Sequence, residues 1–290
     1  MKKKYFYLSI SFLILFVLWV VSGFFVEKTK SPKYPKINGF LNINKIEIIS
    51  PTNSITLFNS NNIWYIYPEN YELDEDISKE LFGQLSNLSI VDVVGKLENL
   101  SSFELDSKNR IKLKIYSEKK EQILYFGKTA NTKKHTYLML PDDDNIYLGK
   151  GDFYSVLHKP YSEYRSRKIL NFKNEELVSI SWNEDGEIYS VYPDNGGFKG
   201  SWKETKLDAK KFGDFMIVIN PLYAIDFPAK IPVKNILRKI NIKTKNSNFN
   251  IIIYDKDREG DYYVEIEGKN EYYKITGFAG NILLRSYTNY

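Results

Sequence analysis

Cysteine is absent from the 290 residues, which excludes a disulfide framework, a thiol nucleophile, a lipidated cysteine and any zinc or iron–sulfur centre built on thiolates. Histidine is nearly absent as well. His135 and His158 are the only imidazoles, and no H-E-x-x-H spacing surrounds them. There is no G-x-S-x-G elbow, and GFAG at 277–280 lacks the Lys-Ser/Thr that completes a phosphate loop. Ser117 and Lys120 satisfy S-x-x-K, but in a polar hairpin turn where nothing would desolvate the lysine. An excess of one charge is also missing from most of the chain. Five of the 41 basic residues and one of the 36 acidic ones lie in the first thirty positions, so the remainder, 36 against 35, is net +1. A nucleic-acid surface would need a concentrated basic patch, and none is visible. Aromatic residues are plentiful, with 23 Tyr and 18 Phe in a composition otherwise ordinary for a globular protein.

The sequence predicts a membrane anchor at the amino-terminal end. Residues 5–26, YFYLSISFLILFVLWVVSGFFV, carry no charge, and as a helix rising ~1.5 Å per residue they would reach ~33 Å, against ~30 Å of hydrocarbon. Ser22 and Gly23 are followed by Phe24 and Phe25 rather than by a small-residue cleavage pattern, which favours an uncleaved anchor. Lys2, Lys3 and Lys4 precede the run, so residues 1–4 are expected in the cytoplasm and the bulk of the chain outside it, as a single-pass plasma (inner) membrane protein. Residues 27–44, with Pro32, Pro35 and Gly39, read as a stalk.

Beyond the stalk, short alternating segments punctuated by turn residues predict strands at 45–50, 54–59 and 63–68. LDEDISKELFGQLSNL then sets Ile77, Leu81, Leu85 and Leu88 on one helical face, with Asp74 as the N-cap. Strands at 110–115, 122–127, 136–140 and 145–149 and a short helix at 151–157 follow. The series recurs: strands at 178–182 and 187–193, a helix at 207–219, and strands at 238–243, 249–254, 262–266 and 272–276. Asp74 to Asp92 and Asp208 to Asp226 are both eighteen residues apart, and Tyr137–Leu157 aligns with Tyr263–Leu283 without a gap. The expected fold class is α+β: an N-terminal transmembrane helix, then two tandem copies, 45–172 and 173–290, of an antiparallel β-sheet domain each carrying an amphipathic helix. Trp64 and Trp202 are expected at equivalent buried places beside the two helices.

Trp64 in IWYIYP, the Leu73-Asp74 helix start, FELDSKNRIKLKI at 103–115, YFGK at 125–128 and YRSRKILNF at 164–172 resemble the domain of unknown function 4340 family. At 103–105 that family has aromatic-Gly-Leu, and here Glu104 replaces the Gly. The resemblance implies a membrane-anchored protein associated with gliding-motility-type ABC transporter components, with transporter subunits or another envelope protein as partners. It supplies no catalytic residues.

Among residues that could carry chemistry, Asp255, Asp257, Glu259, Gly260 and Asp261 match the early part of a calcium loop, but Ile266 stands where its bidentate Glu is needed. A solvated hairpin turn is the expected outcome. Asp142, Asp143 and Asp144 follow Pro141 as a β-turn would. Arg165, Arg167 and Lys168 either face anionic headgroups or are simply solvated. Tyr262, Tyr263, Tyr272 and Tyr273 lie on adjacent predicted strands, and one ring of each pair is available to line a partner-binding surface. The reading is therefore a non-enzymatic extracytoplasmic binding or scaffold protein with no cofactor, no metal site, no catalytic residues and no nucleic-acid partner, touching membrane lipid through residues 5–26. The alternatives are an exported carbohydrate- or peptide-binding module or a cell-envelope hydrolase, the latter needing Asp92 or Asp226 close to a second acid.

Overall fold

The computed structural model describes residues 11–20, 33–37, 42–118, 120–202, 207–232, 235–269 and 271–290. Residues 11–20 are helical (α1), and from Phe12 to Leu18 their apolar side chains are 49–75% exposed.

Period-two alternation builds the first sheet. In β6 (Ile111–Ser117) the side chains of Ile111, Leu113 and Ile115 turn inward, with the intervening lysines half-buried between them. Together with β1 (Ile43–Ile49), β2 (Ser54–Ser60), β3 (Ile63–Tyr67), the two-residue β4 (Tyr71–Glu72), β5 (Ile90–Lys96), β7 (Lys120–Thr129), β8 (His135–Met139) and β9 (Asn145–Lys150), it makes nine strands in the order β4-β3-β2-β1-β6-β7-β8-β9-β5. Helix α2 (Glu75–Asn87) precedes β5 and buries Ile77, Leu81 and Leu85. Short α3 (Phe153–Leu157) follows β9. Its entry is fixed by Thr136, fully buried, whose hydroxyl donates to the Gly151 carbonyl at 2.8 Å and accepts from the Phe153 N–H at 2.9 Å.

Beyond α4 (Tyr161–Tyr164) and β10 (Lys168–Leu170), the second large sheet uses β11 (Leu177–Glu184), β12 (Glu187–Asp194), β13 (Gly197–Gly200), β15 (Ile236–Thr244), β16 (Asn248–Lys256), β17 (Tyr262–Ile266) and β18 (Tyr272–Ile275). Their order is β13-β12-β11-β15-β16-β17-β18, the same as that of β3-β2-β1-β6-β7-β8-β9 in the first sheet. Helices α5 (Ala209–Ile219) and α6 (Gly277–Leu283) stand in the chain where α2 and α3 stand earlier. The caps correspond too. Asp74 Oδ1 accepts from the N–H groups of Asp76 and Ile77, and Asp208 Oδ1 from those of Lys210 and Lys211. The third sheet pairs β10 with β14 (Leu222–Tyr223).

The expected fold class is corrected on two counts. Of the described residues 44% are strand and 24% helix, arranged with three antiparallel sheets, so the fold is mostly β rather than α+β with one sheet per copy. The sequence located α2, α3 and α5 but not α4 or α6, and several helices are too short to form a layer of their own: α3 has five residues and α4 four. Among the described residues no helix is long and apolar enough to cross a membrane. The ten helical residues of α1 reach ~15 Å, half of a ~30 Å core, and the rest of the 5–26 run lies outside the described residues.

Internal contacts divide the chain into one compact unit of 1–56 and 79–159 and a second of 57–78 and 160–290. In the second unit Trp182 is the buried tryptophan, with the rings of Trp202, Phe215 and Tyr290 all within 6.1 Å of it. Trp64 and Trp202 are only half-buried. Arg238 is buried beside Trp182. Its Nη1 donates to the carbonyls of Leu283 and Arg285 and its Nη2 to Glu184 Oε2 at 2.8 Å, fastening the end of α6 and the residues after it to β11 and β15. Burial pushes the Glu184 carboxyl up, but the Ser286 hydroxyl, Arg238, the Tyr287 N–H and Trp182 outweigh it, and the native pKa lies below the ordinary 4.5.

In the first unit Glu104, the departure from the family pattern, sits at φ +57°, ψ +34°, ending the 3-10 segment Leu97–Phe103. A left-handed residue explains the Gly expected there.

Three outcomes follow for urea unfolding. Trp182→Ala should cost about 3–5 kcal/mol, and Glu104→Gly should be close to neutral or stabilising by up to about 1 kcal/mol, as relief of left-handed strain offsets the added chain entropy. Because its native pKa is depressed, Glu184 contributes stability above pH 4.5 that is lost as the pH falls through the native value. Glu184→Gln should flatten that part of the acid-stability curve, and an unchanged curve would contradict the assignment.

Candidate functional site

A single helical turn sets up the site. Pro160 precedes α4, and at Arg165 the backbone becomes extended (φ −76°, ψ 131°), because the chain here pairs with residues 72–74. Leu73 and Arg165 form a β-bridge, the Asp74 N–H donates to the Tyr164 carbonyl at 2.7 Å, and the Ser166 N–H donates to the Glu72 carbonyl at 2.8 Å. These bonds fix the Arg165 backbone opposite β4, and they lie within the second unit.

The Arg165 side chain then passes between two rings. Its guanidinium carbon is 3.6 Å from the Tyr71 centroid and 3.8 Å from that of Phe227, so both faces of the cation meet aromatic surface. Phe227 is held there by the Asp226 to Lys274 bridge against β18. At its edge Arg165 Nη2 donates to Glu271 Oε2 at 2.6 Å, and the Tyr273 hydroxyl donates to the same oxygen at 2.6 Å. Burial first, and then the hydrogen bond to Glu271, hold the Tyr273 phenol well above its ordinary pKa, so it remains a donor. Two further contacts tie 57–78 to 160–170: Tyr161 Oη to Glu69 Oε2 at 2.7 Å, and Lys168 Nζ to Glu75 Oε2 at 3.3 Å.

Beside this clamp lies a cleft of about 350 Å³. Tyr65 and Tyr71 supply aromatic wall, and Asn70, Glu72, Ser166 and Lys269 supply polar groups of both kinds. Each ring is backed by protein, Tyr71 by Arg165 and Tyr65 by Phe58 at 5.6 Å. Arg165 and Glu271 satisfy one another, so what the cleft presents is hydrogen-bonding capacity and ring surface rather than a net charge.

The residues singled out from sequence fare differently. Tyr262, Tyr263 and Tyr273 are buried and Tyr272 half-buried, so the four do not form an exposed row. Both faces of β17 are covered, four of its five side chains being buried, and β17 and β18 pair Tyr263 with Lys274, Val264 with Tyr273 and Glu265 with Tyr272, leaving no tyrosine opposite another. Tyr262 packs under α6 so closely that a Cβ on Gly280 would stand 2.1 Å from its ring, and its hydroxyl bonds Asn281. Tyr273 alone of the four reaches the cleft. Arg165 is neither solvated nor turned to a lipid surface, since its side chain is only 11% exposed and fully engaged. Tyr71, Phe227, Lys269 and Glu271 had no local signal, because what makes them a site is distant pairing.

The acidic hairpin gathers Asp257, Glu259 and Asp261 within 4.8 Å of one another. An ammonium already stands among them: Lys274 Nζ is 2.5 Å from Asp257 and 3.3 Å from Glu259. Lys274, with the Asp261 and Glu259 N–H groups, draws the Asp257 pKa below its ordinary value. Asp255 bonds Asn235 instead of joining them. Asp143 accepts from Tyr147 and Asn145 within its turn, His135 bonds Thr132, and His158 stacks on Tyr154. Asp92 accepts from its neighbour Val93 and from Tyr34, and Asp226 from Phe227.

These features define a β-sheet protein with a polar cleft braced by a cation held between aromatic rings. The chain belongs to the family described as Domain of unknown function (DUF4340), which residues 64–236 match. Tyr71, Arg165 and Phe227 lie inside the matched span and Glu271 and Tyr273 outside it. No curated protein and no solved structure matches the chain significantly.

Removing the guanidinium would leave Glu271 half-buried without its cation and Tyr71 without its facing group. Arg165→Ala should therefore cost about 3 kcal/mol, and limited proteolysis should cut within residues 57–78 first. Arg165→Lys should recover only part of the loss, because an ammonium cannot stack on both rings. Full recovery by lysine would show that charge alone matters.

Proposed function

We propose that this chain is a non-enzymatic binding or scaffold protein that works at the extracytoplasmic side of a membrane, with the cleft beside Arg165 as its recognition site. The observation that carries the reading is the cleft itself. Its strongest charges are spent on one another, Arg165 on Glu271 and Lys168 on Glu75, while backed aromatic rings and single polar groups remain to meet a ligand or partner segment. That arrangement suits recognition better than proton transfer, for which a group poised to gain or lose a proton near neutrality is needed.

The location rests on the uncharged run at 5–26 and the lysines before it. Exposure of the apolar residues all round α1 supports it, since a helix apolar on every side calls for apolar surroundings. Service as an auxiliary component of an ABC-type transport or motility system comes from the family resemblance, an associational argument. A hydrolase is the weaker alternative, because Asp92 and Asp226 each accept local N–H groups.

The test is chemical crosslinking of the full chain in native membranes, with protease added to intact spheroplasts in parallel. Stoichiometric recovery of transporter subunits together with digestion of residues 45–290 is the expected result. Recovery of no envelope protein, or protection of that region while a surface control is cut, would overturn the reading.

A further inference from the structure

We propose that the cleft beside Arg165 takes a short, uncharged saccharide. The inference rests on the recognition role proposed above and names the ligand class of that same site.

Three properties of the cleft point to this chemistry. The first is the pair of tyrosine rings. A sugar ring offers a face of C–H groups that packs flat on an aromatic ring, and the packing is strongest where the aromatic ring is already held in place and loses little freedom on binding. Tyr71 is held on one face by the Arg165 guanidinium and Tyr65 packs on Phe58, so both are fixed before a ligand arrives. The Arg165 cation on one face of Tyr71 leaves the ring poorer in electron density, which disfavours a second cation on that ring but not a C–H face.

The second property is the polar edge. Sugar hydroxyls both donate and accept, and they are best met by side chains that do one or the other in fixed directions. Glu72 accepts, Lys269 donates, and Asn70 does both, all three in exposed positions on the rim of the cleft. Asn70 is held at φ +59° in the β3–β4 turn, so its amide issues from a fixed backbone rather than from a regular strand.

The third is the charge balance. A phosphate or carboxylate ligand is best met by several converging cations, yet Arg165 is bound to Glu271 and Lys168 to Glu75, which leaves Lys269 alone for that task. Of the remaining charges lining the cleft, Lys269 and Glu72 are one of each sign. A volume of about 350 Å³ lies near the lower end of ligand sites, ~300–1,000 Å³, which limits the occupant to a short segment.

The other features of the molecule carry less. The edge strand β5 exposes Val91, Val93 and Val94, but two register shifts against β9 break its alternation, as in an edge shaped against pairing. In the acidic hairpin Lys274 takes the place of a cation.

The experiment uses the purified full chain in a detergent without a sugar headgroup, titrated with cellotriose, maltotriose, chitotriose and, as a comparison, trialanine, and followed by calorimetry. At least one trisaccharide should bind with millimolar or better affinity, trialanine should not, and 1 M salt should change that affinity less than twofold. Glu72→Gln and Tyr65→Ala should each weaken binding at least tenfold, with circular dichroism confirming the fold. The side chains of Glu72 and Lys269 lie on the rim and take part in none of the clamp contacts, so Lys269→Ala provides a second variant should Tyr65→Ala unfold. Binding of trialanine alone would overturn the saccharide and leave the recognition site standing. Saccharide binding unaltered in all three variants would place it elsewhere and overturn the proposal. No binding of any probe would overturn it too, while crosslinking to envelope proteins would still decide the scaffold reading separately.

Discussion

Arg165 carries its charge into a place where 11% of its side chain meets solvent, and it tolerates that place because every direction is compensated: a ring on each face and a carboxylate at the edge. A buried guanidinium without these partners would be strongly destabilising, so the contact demands that Tyr71, Phe227 and Glu271 all arrive together. They come from three separate stretches of the chain. Residues 57–78 accordingly belong to the second compact unit although 79–159 do not. The cleft, its tyrosine wall and its polar rim exist because this one side chain draws those stretches into register.

Arg238 repeats the same physical solution elsewhere in the second unit. It too lies beside an aromatic ring, Trp182, and is satisfied by one carboxylate and two carbonyls. Guanidinium suits both positions, since its flat faces pack like an apolar plate while its edge donates in several directions. In a chain without cysteine, crosslinks of this kind do the fastening that disulfides supply in other proteins. A cation locked between two rings and a phenol held protonated beside a carboxylate are good at keeping a surface in shape. They are poor at exchanging protons.

Strands, turns and caps were legible in the sequence wherever the signal is local. Asp74 and Asp208 cap helices as their positions imply, Ile77, Leu81 and Leu85 turn inward, and the acidic segment at 255–261 is a turn held by Asp257 accepting the Glu259 and Asp261 N–H groups. Glu104 is an instructive case, because the Gly favoured by the family marked a left-handed position that the local chain adopts even with a side chain present. The tyrosines of β17 and β18 were legible as strand residues, and Tyr273 lines the cleft. Their place on adjacent strands was visible, but the covering of both faces of β17 was not, since it depends on elements such as α6 that pack over Tyr262 from elsewhere in the chain.

What the sequence by itself determined was therefore the alphabet of the fold: alternating strands, capped helices, three basic residues within 165–168 and an uncharged run at 5–26. Such features depend on residues a few positions apart, whose propensities and periods act before any tertiary contact forms. Only the tertiary structure decided that the strands assemble into three sheets of a mostly β fold, that residues 57–78 join the second unit, and that Arg165 is the centre of a site. Those outcomes depend on pairings such as Tyr71 with Arg165 and Arg165 with Glu271, separated by roughly a hundred residues each. No local period encodes them. They follow from which burial of charge and ring surface has the lowest free energy once the whole chain has collapsed.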